Sequence, residues 1–235
     1  MRGLGEAIVQ RLTQAGASVV LTGRGLEALQ RVESQVAAAG GQALGLQSDI
    51  GSLQDSQKVI DQAAERFGRI DILVNNAAVF PPSMFSEVSE EVWDQTVDTD
   101  LKGAYFLAQF AAKAMISAGH GGRIINFLST DAFRPTGMLS AYGAAKLGLW
   151  STTQAMAKEL AEHRILVNAI TPGSIITEER IEKFKDTFGV SEVDGAVKTR
   201  EKLQAAVKGG AFAQMLTTLM PLGRPGIPTR SPLNF

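Results

Sequence analysis

Tyr142 and Lys146 stand four residues apart in the segment Tyr142-Gly143-Ala144-Ala145-Lys146. At that spacing two side chains share one face of a helix. A free tyrosine ionises with a pKa of roughly 10 and is a weak acid–base catalyst near neutrality. An ammonium beside it favours the phenolate and lowers that value. The pair can then give a proton to a carbonyl oxygen, or take one from an alcohol. Ser129 lies thirteen residues before the tyrosine. Its hydroxyl can donate to an oxygen on which negative charge is growing. Taken alone, the tyrosine and lysine read better as a surface pair on an amphipathic helix.

Few other chemistries are open to this chain. It has no cysteine among its 235 residues, which excludes disulfides, thiolate metal sites and thiol nucleophiles. His120 and His163 are far apart in polar or glycine-rich settings, so both read as surface residues rather than metal ligands. The net charge of -1 offers no electrostatic footprint for nucleic acid or an anionic membrane. No stretch reaches the ~20 apolar residues of a transmembrane helix, and the amino terminus shows no signal-peptide pattern. A soluble, cytoplasmic protein is expected.

Alternating helices and strands must position these residues. Leu4, Ile8 and Leu12 mark a helix over 4–15, and the β-branched run at 18–22 reads as a buried strand. Leu26, Leu29, Val32 and Val36 line a second helix, followed by a strand at 42–47. Ser52 can cap a helix running to Phe67, and 70–75 is a strand. A proline-bearing loop at 79–88 leads into helices across 89–118, then a strand at 123–128. Ser140 to Glu162 reads as one long helix and 164–170 as a strand; beyond Pro172 the pattern is polar and helical as far as Met220. Strands separated by helices imply a parallel sheet covered on both faces, a doubly wound α/β fold. Without repeats or linkers, residues 1–228 read as one Rossmann-like domain with an irregular tail at 229–235.

Several segments together resemble the classical short-chain dehydrogenase/reductase family. They are Gly3-Leu4-Gly5 opening a helix, Asp49, Asn75-Asn76-Ala77-Ala78, Ser129, the Tyr142 to Lys146 motif, and Pro172-Gly173. Their order and spacing follow the family from residue 2 to about 228. The resemblance implies an NAD(P)-dependent oxidoreductase acting on a carbonyl or secondary alcohol. Tyr142 would be the general acid or base, Ser129 would bind the substrate oxygen, and Lys146 would also bond the nicotinamide ribose. The cationic oxidised nicotinamide would help to lower the Tyr142 pKa. The family's usual relay asparagine is replaced by Asp100. A carboxylate there could hold a relay water and raise the Lys146 pKa, could disturb the local helix kink, or could be a solvated helix carboxylate.

On the cofactor side, Gly3, Leu4 and Gly5 would bring a helix amino terminus to the pyrophosphate. Gly23 leaves empty the position where a carboxylate would select NAD(H), and Arg24 can pair with a 2′-phosphate. Arg2 could do the same, so NADP(H) is favoured over NAD(H), although Arg24 also reads as a solvated loop residue. The resemblance places Asp49 and Ile50 at the adenine and Ala77, after Asn76, near the ribose. Pro172, Gly173, Ile175 and Thr177 would lie near the carboxamide. Asn75 would hold neighbouring strands together.

The family's first strand would precede Met1 and its last would follow the 221–228 segment, so the sequence is expected to be truncated at both ends. Phe184, Phe188, Phe212 and Met215 could line a substrate lid or simply pack it. The substrate class expected first is that of 3-oxoacyl reductases, with sugar or polyol dehydrogenases as the alternative. An inactive fragment and a non-catalytic dinucleotide-binding protein are rival readings. The resemblance also implies a homo-oligomer, a dimer or tetramer, through helices near 101–118 and 140–161.

Overall fold

The computed structural model describes residues 3–173 and 175. The chain divides into two compact units, Met1–Pro172 and Gly173–Phe235. Arg2, Thr177, the four lid residues and the helical stretch expected up to Met220 lie outside the described residues.

The first unit alternates helix and strand throughout. Its elements are α1 (Gly3–Gln14), β1 (Ser18–Gly23), α2 (Leu26–Ala38), β2 (Gln42–Gln47), α3 (Leu53–Phe67), β3 (Ile72–Asn75), α4 (Glu90–Val97), α5 (Ala104–Ala118), β4 (Gly122–Phe127), α6 (Ser140–Glu159) and β5 (Ile165–Ile170). All strand pairings are parallel, as crossover helices require. This is the doubly wound, Rossmann-like α/β arrangement. The strands fall in two sheets, β1–β2 and β3–β4–β5. Register runs Ser18 to Gln42 in the first and Ile72 to Arg123, Gly122 to Ile165 in the second.

Local chemistry sets the boundaries. The Ser52 side chain accepts the Asp55 N–H at 3.2 Å, capping α3, and Gly68 closes that helix in the left-handed conformation. Ser89 caps α4 in the same way through the Val92 N–H. Two expectations change. The helical region 89–118 is interrupted by a π-helical turn, Asp98–Gly103. The long helix stops at Glu159 instead of Glu162, because a 3-10 turn and a left-handed Arg164 redirect the chain into β5.

The main core lies between β4–β5 and the helices α3 and α5. Ile60, Leu107, Ala111, Met115, Ile124 and Ile165 are its buried members, and the alanines of α5 let that helix approach the sheet closely. A second cluster joins α1, α2 and β1 through Val9, Leu21, Leu29, Val32 and Val36. Within β1 only Leu21 is fully buried, so the strand is more exposed than its apolar run suggests. Among the described residues β1 pairs with β2 alone.

His120 is half-buried rather than a surface residue. Its Nδ1 bonds the Gly121 carbonyl at 2.8 Å, while His163 is exposed. Among the described residues no helix is long and apolar enough to cross a membrane.

Candidate active site

The carboxyl ends of the parallel strands carry the residues singled out above, where ligands bind in open α/β sheets. Ser129 follows β4 by two residues and caps a 3-10 turn, Thr130–Ala132. Its Oγ accepts the Asp131 N–H and donates to Asp131 Oδ2, both at 3.2 Å. Asp131 is held in turn by the Thr136 N–H at 3.1 Å and by the Thr136 hydroxyl. Tyr142 and Lys146 both lie on α6, and the Lys146 ammonium stands 5.6 Å from the tyrosine ring centre. Ser129 lies close enough to the Tyr142 hydroxyl to act on its ionisation. The structure thus brings Ser129, Tyr142 and Lys146 together.

Asp100 joins them from the π-helical turn. One carboxylate oxygen lies 2.9 Å from Lys146 Nζ, and the other accepts the Val79 N–H at 2.8 Å. Asp100 is 0% exposed and Lys146 2%. The reading of Asp100 as a solvated helix carboxylate is therefore wrong. The wider π turn directs its side chain into the interior, and the 2.9 Å contact leaves no room for a water between the two charges. Burial pushes the Asp100 carboxyl up, opposed by the nearby ammonium and by the Val79 amide.

The Tyr142 hydroxyl also departs from expectation. Its pKa is pushed up to about 12, not lowered. Burial is the main cause; Ser129 acts the other way, and Asp100 and Asp131 add to the rise. The spacing of Tyr142 and Lys146 reveals the ammonium but not the carboxylate that offsets it.

Three contributors were not evident from spacing alone. Asp131 accepts the single Ser129 hydroxyl proton; its signal was a carboxylate two residues after a strand-end serine, the spacing of a side-chain turn. The Val79 N–H, in the loop after β3, anchors Asp100. Phe80, next in that loop, places its ring 5.5 Å from that of Tyr142 in a tilted contact.

The proposed cofactor residues occupy matching strand and helix ends. Gly3 opens α1 with a positive φ of 60°, and Gly5 is buried. Glu6, the acid of that first turn, is paired with Arg31 of α2 through two bonds of 2.9 and 2.6 Å, which offsets a charge that would repel a phosphate. Gly23 ends β1 and Arg24 follows it; the Arg24 guanidinium is exposed and makes no ion pair among the described residues. The Ser48 N–H donates to the Gly23 carbonyl, which sets Asp49 and Ile50 beside the β1 end. Asp49 is exposed and accepts the Gly51 N–H at 2.9 Å. Asn76 and Ala77 follow β3 and are partly or fully exposed. Asn75 is buried and bonds Asn126 of β4 and the Ala104 carbonyl, a cross-strand tie as expected. Pro172 ends the first unit after β5, whereas Gly173 and Ile175 belong to the second. A helix amino terminus, an arginine at one strand end with no ion pair among the described residues, and exposed residues after the next strand fit a dinucleotide in their donor chemistry.

The family model described as "short chain dehydrogenase" matches residues 1–187. The 2-dehydro-3-deoxy-D-gluconate 5-dehydrogenase of Escherichia coli (strain K12) is 38% identical over 177 residues, covering 74% of this chain and 68% of that protein. The L-rhamnose 1-dehydrogenase (NAD(P)(+)) of Azotobacter vinelandii is 34% identical over 232 residues, covering 97% and 81%. A metagenomic short-chain oxidoreductase solved in complex with NADP superposes with a TM-score of 0.70 at 34% identity, covering 81% of this chain and 87% of that one.

Proposed function

The chain belongs to the short-chain dehydrogenase family, and from that premise we propose that it interconverts a secondary alcohol and a ketone on a sugar or polyol, using NADP(H) in preference to NAD(H). Both relatives named above act, by their names, on a sugar or a sugar acid, which favours this substrate class over a 3-oxoacyl group. The observation that carries the chemistry is the Lys146 ammonium beside the Tyr142 ring, with Ser129 near the tyrosine hydroxyl. When bound, the nicotinamide supplies or accepts the hydride.

The chain's own residues handle the proton and the developing charge. Ser129 donates to the substrate oxygen and so stabilises negative charge there. Tyr142 gives its hydroxyl proton to that oxygen in reduction and recovers it in oxidation. Lys146 retains donors beyond the one facing Asp100, and these are available to a ribose hydroxyl. Phe80 and Tyr142 form a partly apolar floor on which the C–H face of a polyol can rest.

Gly23 and Arg24 support the NADP(H) preference. Gly23 carries no carboxylate to compete for a ribose 2′-hydroxyl, and Arg24 has an exposed guanidinium for a phosphate. Turnover of a panel of sugars, polyols and 3-oxoacyl thioesters, followed by reduced-nicotinamide absorbance with each cofactor, tests the proposal. Sugar or polyol turnover with NADP(H) is expected. Turnover confined to the thioesters would overturn the substrate class, and none by folded protein would overturn the enzymatic reading.

A further inference from the structure

Asp100 is a buried carboxylate touching the Lys146 ammonium that faces Tyr142. The contact joins two elements, the π-helical turn and α6, and is fixed from the far side by the Val79 N–H. Whether the shared proton rests on the ammonium or the carboxyl, the pair has no net charge. A neutral side chain at position 100 would instead leave Lys146 as an uncompensated cation beside the tyrosine. The other described groups facing Tyr142 add no positive charge. Asp131 and Ser129 approach from the turn after β4, and Phe80 from the loop after β3.

We propose that Asp100 is a positioning residue that fixes Lys146 and cancels its charge, keeping Tyr142 a protonated hydroxyl and suiting the site to carbonyl reduction near neutral pH. Reduction consumes the tyrosine proton. It passes from Tyr142 Oη to the substrate oxygen as the hydride from the reduced cofactor reaches the carbonyl carbon, and the tyrosinate regains a proton from solvent. Oxidation needs the tyrosinate at the start, so it rises only at alkaline pH. The raised Tyr142 pKa, to which Asp100 contributes, agrees with this. The reaction direction rests on the oxidoreductase reading; the state of Tyr142 does not.

Tyr105 and Tyr142 are the only tyrosines in the chain, so Tyr105→Phe leaves a single phenol to follow. The near-ultraviolet phenolate band of the folded Y105F protein, titrated without substrate or cofactor, reads Tyr142 directly. A midpoint above the ordinary tyrosine value of roughly 10 is expected, and one at or below it would overturn the proposal. Adding Asp100→Asn should lower the midpoint by about one pH unit or more. An unchanged or higher midpoint in folded D100N protein would also overturn it. If circular dichroism shows that D100N does not fold, Asp100→Ser is read in the same way, and the Y105F midpoint alone remains decisive. Where a turned-over alcohol has been found, its pH–rate profile should move to lower pH with D100N, a shift that mere loosening of the site would not give. A failed titration with retained turnover refutes the role of Asp100 alone; a successful titration without turnover refutes only the enzymatic reading.

Discussion

Asn75 donates its side-chain amide to Asn126 Oδ1 at 2.9 Å across the β3–β4 pair, and Asn126 donates its own amide to Thr153 Oγ1 of α6 at 2.8 Å. Thr153 continues to the Leu149 carbonyl at 2.6 Å. A buried polar line thus ties the strand that leads to Ser129 to the helix that bears Tyr142 and Lys146. Each member depends on the next, since an unsatisfied polar group in the interior is costly. Asn126→Leu keeps the volume but breaks two of these bonds. It should lower stability by about 1–3 kcal/mol, read as a lower urea midpoint with unchanged slope. A variant as stable as the parent would show that the line does not hold α6 to the sheet.

The alternation of strands and helices was legible because its periodicities and caps are local: Ser52 and the apolar stripe of α2 are visible in a short stretch of sequence. Ser129, Tyr142 and Lys146 were legible from spacing and motif. What was hidden depends on one-residue changes of backbone geometry. The π turn adds a residue to a helical stretch, so helical counting cannot place Asp100, and only the folded chain shows it inside. Burial likewise reverses the expected direction for Tyr142, because desolvation is a property of the surroundings and not of the Tyr–Lys spacing.

Gly103 ends that π turn, and the 49–51 loop packs on it. A Cβ there would stand 2.3 Å from the Ile50 carbonyl oxygen and 2.9 Å from that of Asp98. Backbone cannot rotate away as a side chain can, so Gly103→Ala must push the 49–51 loop outward. A loss of about 1–3 kcal/mol in stability is expected, together with weaker dinucleotide binding by calorimetry. Binding and melting temperature both equal to the parent's would show that the loop yields freely.

Gly23 is different: a Cβ would meet only Leu29 Cδ2 at 3.7 Å, an ordinary contact. Space does not demand glycine here, so the missing carboxylate is a matter of charge. Gly23→Asp should weaken NADPH relative to NADH by about tenfold or more, since a carboxylate repels the 2′-phosphate and bonds the free 2′-hydroxyl. Arg24→Ala should weaken NADPH alone. Fluorescence titration with both reduced cofactors reads the ratio, and equal loss for the two would remove Arg24 from phosphate recognition.

Lys146→Met retains most of the apolar stem but strips Asp100 of its cation. The carboxyl is then buried with the Val79 N–H as its remaining partner, and its folded-state pKa rises further above the ordinary value near 4. A carboxyl whose folded pKa is raised binds its proton more tightly in the native state. Its contribution to stability is complete below the unfolded pKa and disappears as pH climbs through the folded one. The variant should therefore lose about 3–5 kcal/mol at neutral pH and recover part of this as the solution is acidified toward pH ~4. Denaturant melts of parent and variant across that range measure the difference. A K146M deficit that stayed constant with pH would mean that Asp100 carries no buried charge for Lys146 to offset.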